Sequence, residues 1–88
     1  MNVIITGASR GIGKATAEIF AANGHNLYLC SRNEKALYKA MEELVTRYPN
    51  IIIKSKQFDL SKKENAIDFG KWILSLNISV DVLFNNAG

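Results

Sequence analysis

The chain has 88 residues, 48% of them hydrophobic and 22% charged, with a net charge of +3. That is one small domain, which buries only about 60–65% of the surface its unfolded chain exposes. No run reaches the roughly 18 apolar residues of a membrane span, MNVIITGASRG has no secretory lead, the single Cys30 forbids an internal disulfide, and the lysines are scattered among acids, so the expectation is a cytoplasmic protein without a membrane or nucleic-acid partner.

Residues 2–6, Asn2-Val3-Ile4-Ile5-Thr6, form a β-branched run that reads as a buried strand. Past the glycines, Ile12, Ala15, Ile19, Phe20 and Ala22 recur at helical spacing, and Asn23-Gly24 supplies a C-terminal stop. Residues 26–31 read as a second strand. Leu37, Met41, Leu44, Val45 and Tyr48 then form one helical stripe, ended by Pro49. A third strand is expected from Ile52 to Phe58. Ser61 and Glu64 have the spacing of a capping box, and the helix they open is expected to turn Ala66, Ile67, Ile73 and Leu74 inward. The last strand runs from Val80 to Phe84, with Asn85-Asn86-Ala87-Gly88 after it.

Strands alternating with helices, β-α-β-α-β-α-β, imply an α/β fold with a parallel, doubly wound sheet of the Rossmann type and right-handed crossovers. Such a sheet normally continues beyond a fourth strand. The expectation is therefore half of a larger fold: one nucleotide-binding half-domain, truncated after the fourth strand.

The stretch Thr6 to Thr16, TGASRGIGKAT, lies between the first strand and the first helix. An ATP-binding G-x-x-x-x-G-K-[ST] loop fails here, because Ala8 replaces its first glycine and Ala15 its metal-binding hydroxyl. The common dinucleotide fingerprint G-x-G-x-x-G fails too, since Thr16 stands at its third glycine. What remains is Gly7-x-x-x-Gly11-x-Gly13. Gly7 lets the chain leave the strand with unusual backbone angles. Gly11 and Gly13 keep the loop bare around Ile12, so main-chain N–H groups at the positive end of a helix can meet a pyrophosphate. The alternative is a glycine-rich turn that binds nothing.

Thr6-Gly7-Ala8-Ser9-Arg10-Gly11-Ile12-Gly13 resembles the TGxxxGxG signature of the short-chain dehydrogenases/reductases, and Asn85-Asn86-Ala87-Gly88 resembles that family's NNAG motif. Asp59-Leu60 resembles its adenine-contacting pair, and Val80-Asp81-Val82-Leu83 the run into NNAG, so the resemblance covers the whole chain. It implies an NAD(P)-dependent oxidoreductase. Asp59 would accept a hydrogen bond from the adenine amino group, and Leu60 would offer its N–H to the ring. Asn85 and Asn86 would tie the strand end and flank the cofactor ribose, with Ala87 and Gly88 leaving room for that sugar. Asp59 has a second reading, as a helper in capping the third helix beside Ser61.

The end of the second strand chooses the cofactor. An acid there accepts from a ribose 2′-hydroxyl and repels a 2′-phosphate. The sequence has Cys30-Ser31-Arg32-Asn33, with Ser31 where the family's NAD-type enzymes carry the acid. Arg32 and Arg10 offer planar forks of donors to a phosphate from two sides, and Ser9 is a further candidate contact. NADP(H) is therefore expected over NAD(H). The alternative is two surface arginines, with Ser31 to Glu34 as a capping box for the second helix.

His25 reads as a solvated loop residue and Cys30 as a core residue. With one His and one Cys there is no metal site. Trp72 reads as packing. The family's catalytic pair, a Tyr with a Lys four residues later, has no counterpart: Tyr28, Tyr38 and Tyr48 are followed four residues on by Arg32, Glu42 and Ile52. No catalytic residue is assigned, and the chain alone is expected to be inactive. Two further readings stay open: a non-enzymatic NADP-binding module, and a truncated product that self-associates through an exposed strand.

Overall fold

A computed structural model describes residues 1–86; the expected roles of Ala87 and Gly88 lie outside the described residues. The elements are β1 (Asn2–Thr6), α1 (Gly11–Ala22), β2 (Asn26–Ser31), α2 (Glu34–Arg47), β3 (Ile53–Gln57), α3 (Lys63–Ser75) and β4 (Val82–Asn85). Their alternation is the expected one. All pairings are parallel, in the order β3-β2-β1-β4. The sheet grows outward from β1 to β3 and then crosses back to β4. Right-handed crossovers therefore put α1 and α2 on one face and α3 on the other.

Side-chain alternation divides the strands accordingly. Val3 and Ile5 of β1 and Leu27 and Leu29 of β2 meet Ala17 and Ala21 of α1 and Leu37 and Leu44 of α2 in one fully buried cluster. Ile4 and Tyr28, in register with each other, point to the α3 face and are also buried. Two ion pairs, Lys14–Glu43 at 3.0 Å and Glu18–Arg47 at 2.9 Å, link the outer sides of α1 and α2.

The inward faces of all three helices differ from expectation. In α1 the buried positions are Gly13, Ala17 and Ala21, whereas Ile12 and Ile19 are 68% and 64% exposed. Spacing alone did not distinguish the two stripes. The small one wins because it lets the helix approach the sheet closely. In α2, Ala40 sits inward and Val45 outward for the same reason of fit. No residue of α3 is fully buried; Ala66, Ile67 and Leu74 face out, Leu74 at 80% exposure. The helix docks instead through Phe69 and Trp72, whose rings lie 5.6 and 6.1 Å from that of Phe58. Trp72 is thus a packing residue.

Two capping expectations are also corrected. The N-cap of α3 is Lys62 with no side-chain bond, because the Ser61 hydroxyl is taken by Asp59. The N-cap of α2 is Asn33, whose Oδ1 accepts from the N–H of Ala36 at 3.0 Å, and not Ser31. β4 starts later than expected and includes Asn85. At residue 81 the carboxylate accepts the Asn2 N–H at 2.8 Å, so Asp81 anchors the segment before the strand proper begins. His25 is a half-buried loop residue whose Nδ1 lies 3.2 Å from the terminal amine and whose ring stands edge-on to Phe20.

Candidate functional site

The C-terminal ends of all four strands share one edge of the sheet. β1 has β2 on one side and β4 on the other, so the connection leaving β1 and the one that returns from β3 to β4 run to opposite sides of it, the usual position of a ligand crevice in such sheets. A cleft of about 430 Å³ opens at this edge.

The glycine loop forms one wall. Gly7 leaves β1 at φ +62°, in the left-handed region that glycine enters without strain. Ala8 is fully buried, and its N–H donates to the Cys30 carbonyl at 3.1 Å, tying the loop to β2. Gly11, at φ +55°, begins the helix. A Cβ at residue 13 would lie 2.1 Å from the Gly7 carbonyl oxygen, so only glycine permits this approach of helix to strand end. The N-cap residue of α1, Arg10, makes no side-chain cap bond, and the first turn carries no acid. Among the described residues no side chain caps the leading N–H groups of the helix, and no acid of its first turn offsets their positive end. Lys14, the residue an ATP loop would aim at phosphate, is held by Glu43 instead, and Thr16 Oγ1 donates to the Ile12 carbonyl at 2.7 Å.

The second wall is the β2–α2 turn. Ser31 is buried, its hydroxyl 2.7 Å from that of Ser9 and accepting the Asn33 N–H at 3.3 Å. Arg10 and Arg32 are exposed and line the cleft from the two walls. Gln57 Nε2 donates to the Arg32 carbonyl at 2.9 Å, and the Phe58 N–H to the Ser31 carbonyl at 3.0 Å, fixing the turn from the β3 side.

The third wall follows β3. Asp59 Oδ1 accepts from the Ser61 hydroxyl at 2.6 Å and from the Ser61 N–H at 3.1 Å. These donors, with Arg32 and Lys62 nearby, hold the Asp59 carboxyl below its usual range, so the cleft keeps one anionic acceptor. Beneath lie Phe58 and Cys30. Burial pushes the Cys30 thiol up to about 11, a shift that a backbone hydrogen bond from Phe58 partly opposes. The thiol is neutral packing and no nucleophile.

At the β4 side, Thr6 Oγ1 donates to Asn85 Oδ1 at 2.8 Å and accepts the Asn86 N–H at 2.9 Å. The tie between strand ends is thus made by Asn85 and Asn86 through Thr6.

Of the residues singled out in the sequence, Gly7, Ser9, Arg10, Ser31, Arg32, Asp59 and Leu60 line the cleft together with Asn86. Gly11, Ile12, Gly13 and Asn85, at the start of α1 and the end of β4, are not among the lining residues. Cys30, Asn33, Phe58 and Ser61 also line it, although the sequence reading gave them no contact there. Phe58 and Ser61 flank the Asp59-Leu60 pair and were legible as its neighbours; Cys30 was hidden by its strand position. Among the described residues there is no group of three or more His, Cys, Asp or Glu able to hold a metal, and no helix long and apolar enough to cross a membrane.

The family model for short chain dehydrogenases matches residues 1–88. Short-chain dehydrogenase TIC 32 A, chloroplastic, of Brassica napus is 36% identical over the whole chain, which spans 28% of that protein. Dehydrogenase/reductase SDR family member 7B of Xenopus laevis is 43% identical over 98% of the chain and 28% of its own length. Among solved structures, a short-chain dehydrogenase from Sphingobium yanoikuyae in complex with NADPH superimposes with a TM-score of 0.85 at 33% identity, covering 99% of this chain and 34% of that one. The chain thus spans about a third or less of these relatives.

Proposed function

This chain belongs to the short-chain dehydrogenase family, and we propose that it forms the NADP(H)-binding portion of an oxidoreductase acting on a carbonyl or alcohol substrate. Bound nicotinamide supplies the hydride in such chemistry; the residues here bind and orient the dinucleotide. The N–H groups at the start of α1 meet the pyrophosphate, Asp59 and Leu60 receive the adenine, and Asn85 and Asn86 lie toward the ribose. One observation carries the choice of NADP(H). Arg10 and Arg32 line one cleft from opposite walls, and the strand end between them carries Ser31, hydrogen-bonded to Ser9, in place of an acid. The complex with NADPH known for a relative supports the same choice. The absence of a disulfide-forming pair suits a reducing, cytoplasmic setting.

Calorimetry with NADPH, NADH and 2′-phospho-ADP-ribose tests this reading. NADPH and the phosphorylated fragment should bind in preference to NADH; equal binding of NADPH and NADH would remove the role given to the arginines.

The same reading takes in the lack of any Tyr-x-x-x-Lys in the 88 residues. On it, the chain alone binds NADP(H) and catalyses nothing. Steady oxidation of NADPH by the pure chain with a panel of carbonyls would refute it. Self-association is a related proposal: the β3 edge carries Lys54 and Lys56, which discourage strand addition, whereas β4 carries no charge. Light scattering showing a strict monomer at high concentration would exclude it.

A further inference from the structure

We propose that Ser61 is a positioning residue for adenine recognition: it locks one carboxylate oxygen of Asp59 so that the other is presented to the exocyclic amino group of the base. The inference rests on the reading of Asp59 as the adenine acceptor.

The sequence offers Ser61 as a helix cap, and the structure denies it that task. The N-cap position is Lys62, which makes no side-chain cap bond. The serine instead directs both of its donors to a single atom, Asp59 Oδ1, its hydroxyl at 2.6 Å and its N–H at 3.1 Å. The main chain of Asp59 is held as well: its carbonyl accepts from Asn65 Nδ2 at 3.1 Å and from the Lys62 N–H at 3.3 Å. Carbonyl and Oδ1 are thus fixed by residues 61, 62 and 65, at and just before the start of α3, and among the described residues no hydrogen bond holds Oδ2. Asp59 and Ser61 both line the cleft.

A half-exposed aspartate without such a brace samples several rotamers, and a ligand that needs one of them bears the ordering cost on binding. A carboxylate already held by two donors has met that cost in folding. It also stays anionic, and a charged acceptor bonds an amino N–H more strongly than a neutral one.

The test compares NADPH with its hypoxanthine counterpart, in which an oxygen replaces the 6-amino group, by equilibrium binding to the chain and to Ser61→Ala, Ser61→Thr and Asp59→Ala. The unaltered chain should prefer NADPH. S61A should reduce that preference about three- to tenfold, with little change for the hypoxanthine dinucleotide, and S61T should restore it. Weakening of both dinucleotides alike by S61A, or no effect on either, overturns the proposal. D59A separates the two layers. If D59A abolishes the preference while S61A keeps it, Ser61 alone is excluded; if D59A keeps the preference, the adenine role of Asp59 falls and the brace with it.

Discussion

The carbonyl oxygen of Gly7 occupies the space in which a side chain on residue 13 would begin: a Cβ on Gly13 would stand 2.1 Å from it and 2.8 Å from the Gly7 carbonyl carbon. Both obstructing atoms are backbone and have no rotamer to yield. Gly13→Ala should therefore cost about 3 kcal/mol or more, at the upper end of overpacking effects. Gly11→Ala meets no atom within 4 Å and carries only the strain of φ +55°, about 1–2 kcal/mol. Urea denaturation of the two variants should rank them in that order. Equal losses would contradict the close approach of α1 to the end of β1.

Removing either arginine should act on the cofactor's phosphate and spare the fold, since both side chains are exposed. Arg10→Ala and Arg32→Ala should each weaken NADPH about tenfold, the lower end for hydrogen bonds to a charged group, and leave NADH nearly unchanged. The double variant should lose about 100-fold. Calorimetry reads this directly, and a parallel loss for NADH would mean that the arginines serve the loop rather than the phosphate.

Thr6→Val keeps the shape of a buried side chain but removes both the donor to Asn85 and the acceptor for the Asn86 N–H. The expected loss is about 1–3 kcal/mol, dominated by the stranded N–H. Hydrogen exchange should quicken at Asn86 before it does in the centre of β1. Unchanged protection there would show that the Thr6 hydroxyl does not hold the end of β4.

Cys30 gives the fold a pH dependence on the alkaline side. Its thiol ionises near 9.0 in an unperturbed setting and is pushed up to about 11 by burial. Between those values the folded chain keeps a proton that the unfolded chain has released, so stability falls as pH rises through the window. Below about pH 9 both states hold the proton and the residue contributes no slope. Cys30→Ala should remove this component. Denaturation midpoints of the two proteins at neutral pH and at about pH 10 should diverge less at the higher pH; a constant difference would show that the thiol does not titrate with unfolding.

Element order, fold class and the glycine loop were legible because each rests on local signals: β-branched runs, glycine stops and a motif between strand and helix. The inward faces of α1 and α3 were not. Ile12 and Ile19 share a helical stripe just as Gly13, Ala17 and Ala21 do, and only the close backbone approach at residue 13, which leaves no room for a Cβ, decides between them. In α3 the aromatic contact with Phe58, a residue just beyond β3, outweighs the aliphatic stripe. Ser61 and Ser31 read as capping residues by spacing, but nearby partners, Asp59 and Ser9, claim their hydroxyls. Competition between local and tertiary hydrogen bonds leaves no mark in spacing. The cleft residues carried by motifs were found, whereas Cys30 and Phe58 are ordinary strand-end residues until the sheet brings them under Asp59.

The most direct test is an NADPH titration of the isotope-labelled chain followed residue by residue in amide NMR spectra. Shifts should concentrate at the N–H groups of residues 7–13, with a second set at residues 31–33 and a third at 59–61. Perturbation confined to other surfaces, or silence at the amides of Gly11 to Gly13 under saturating NADPH, would contradict the assignment of this loop to the pyrophosphate.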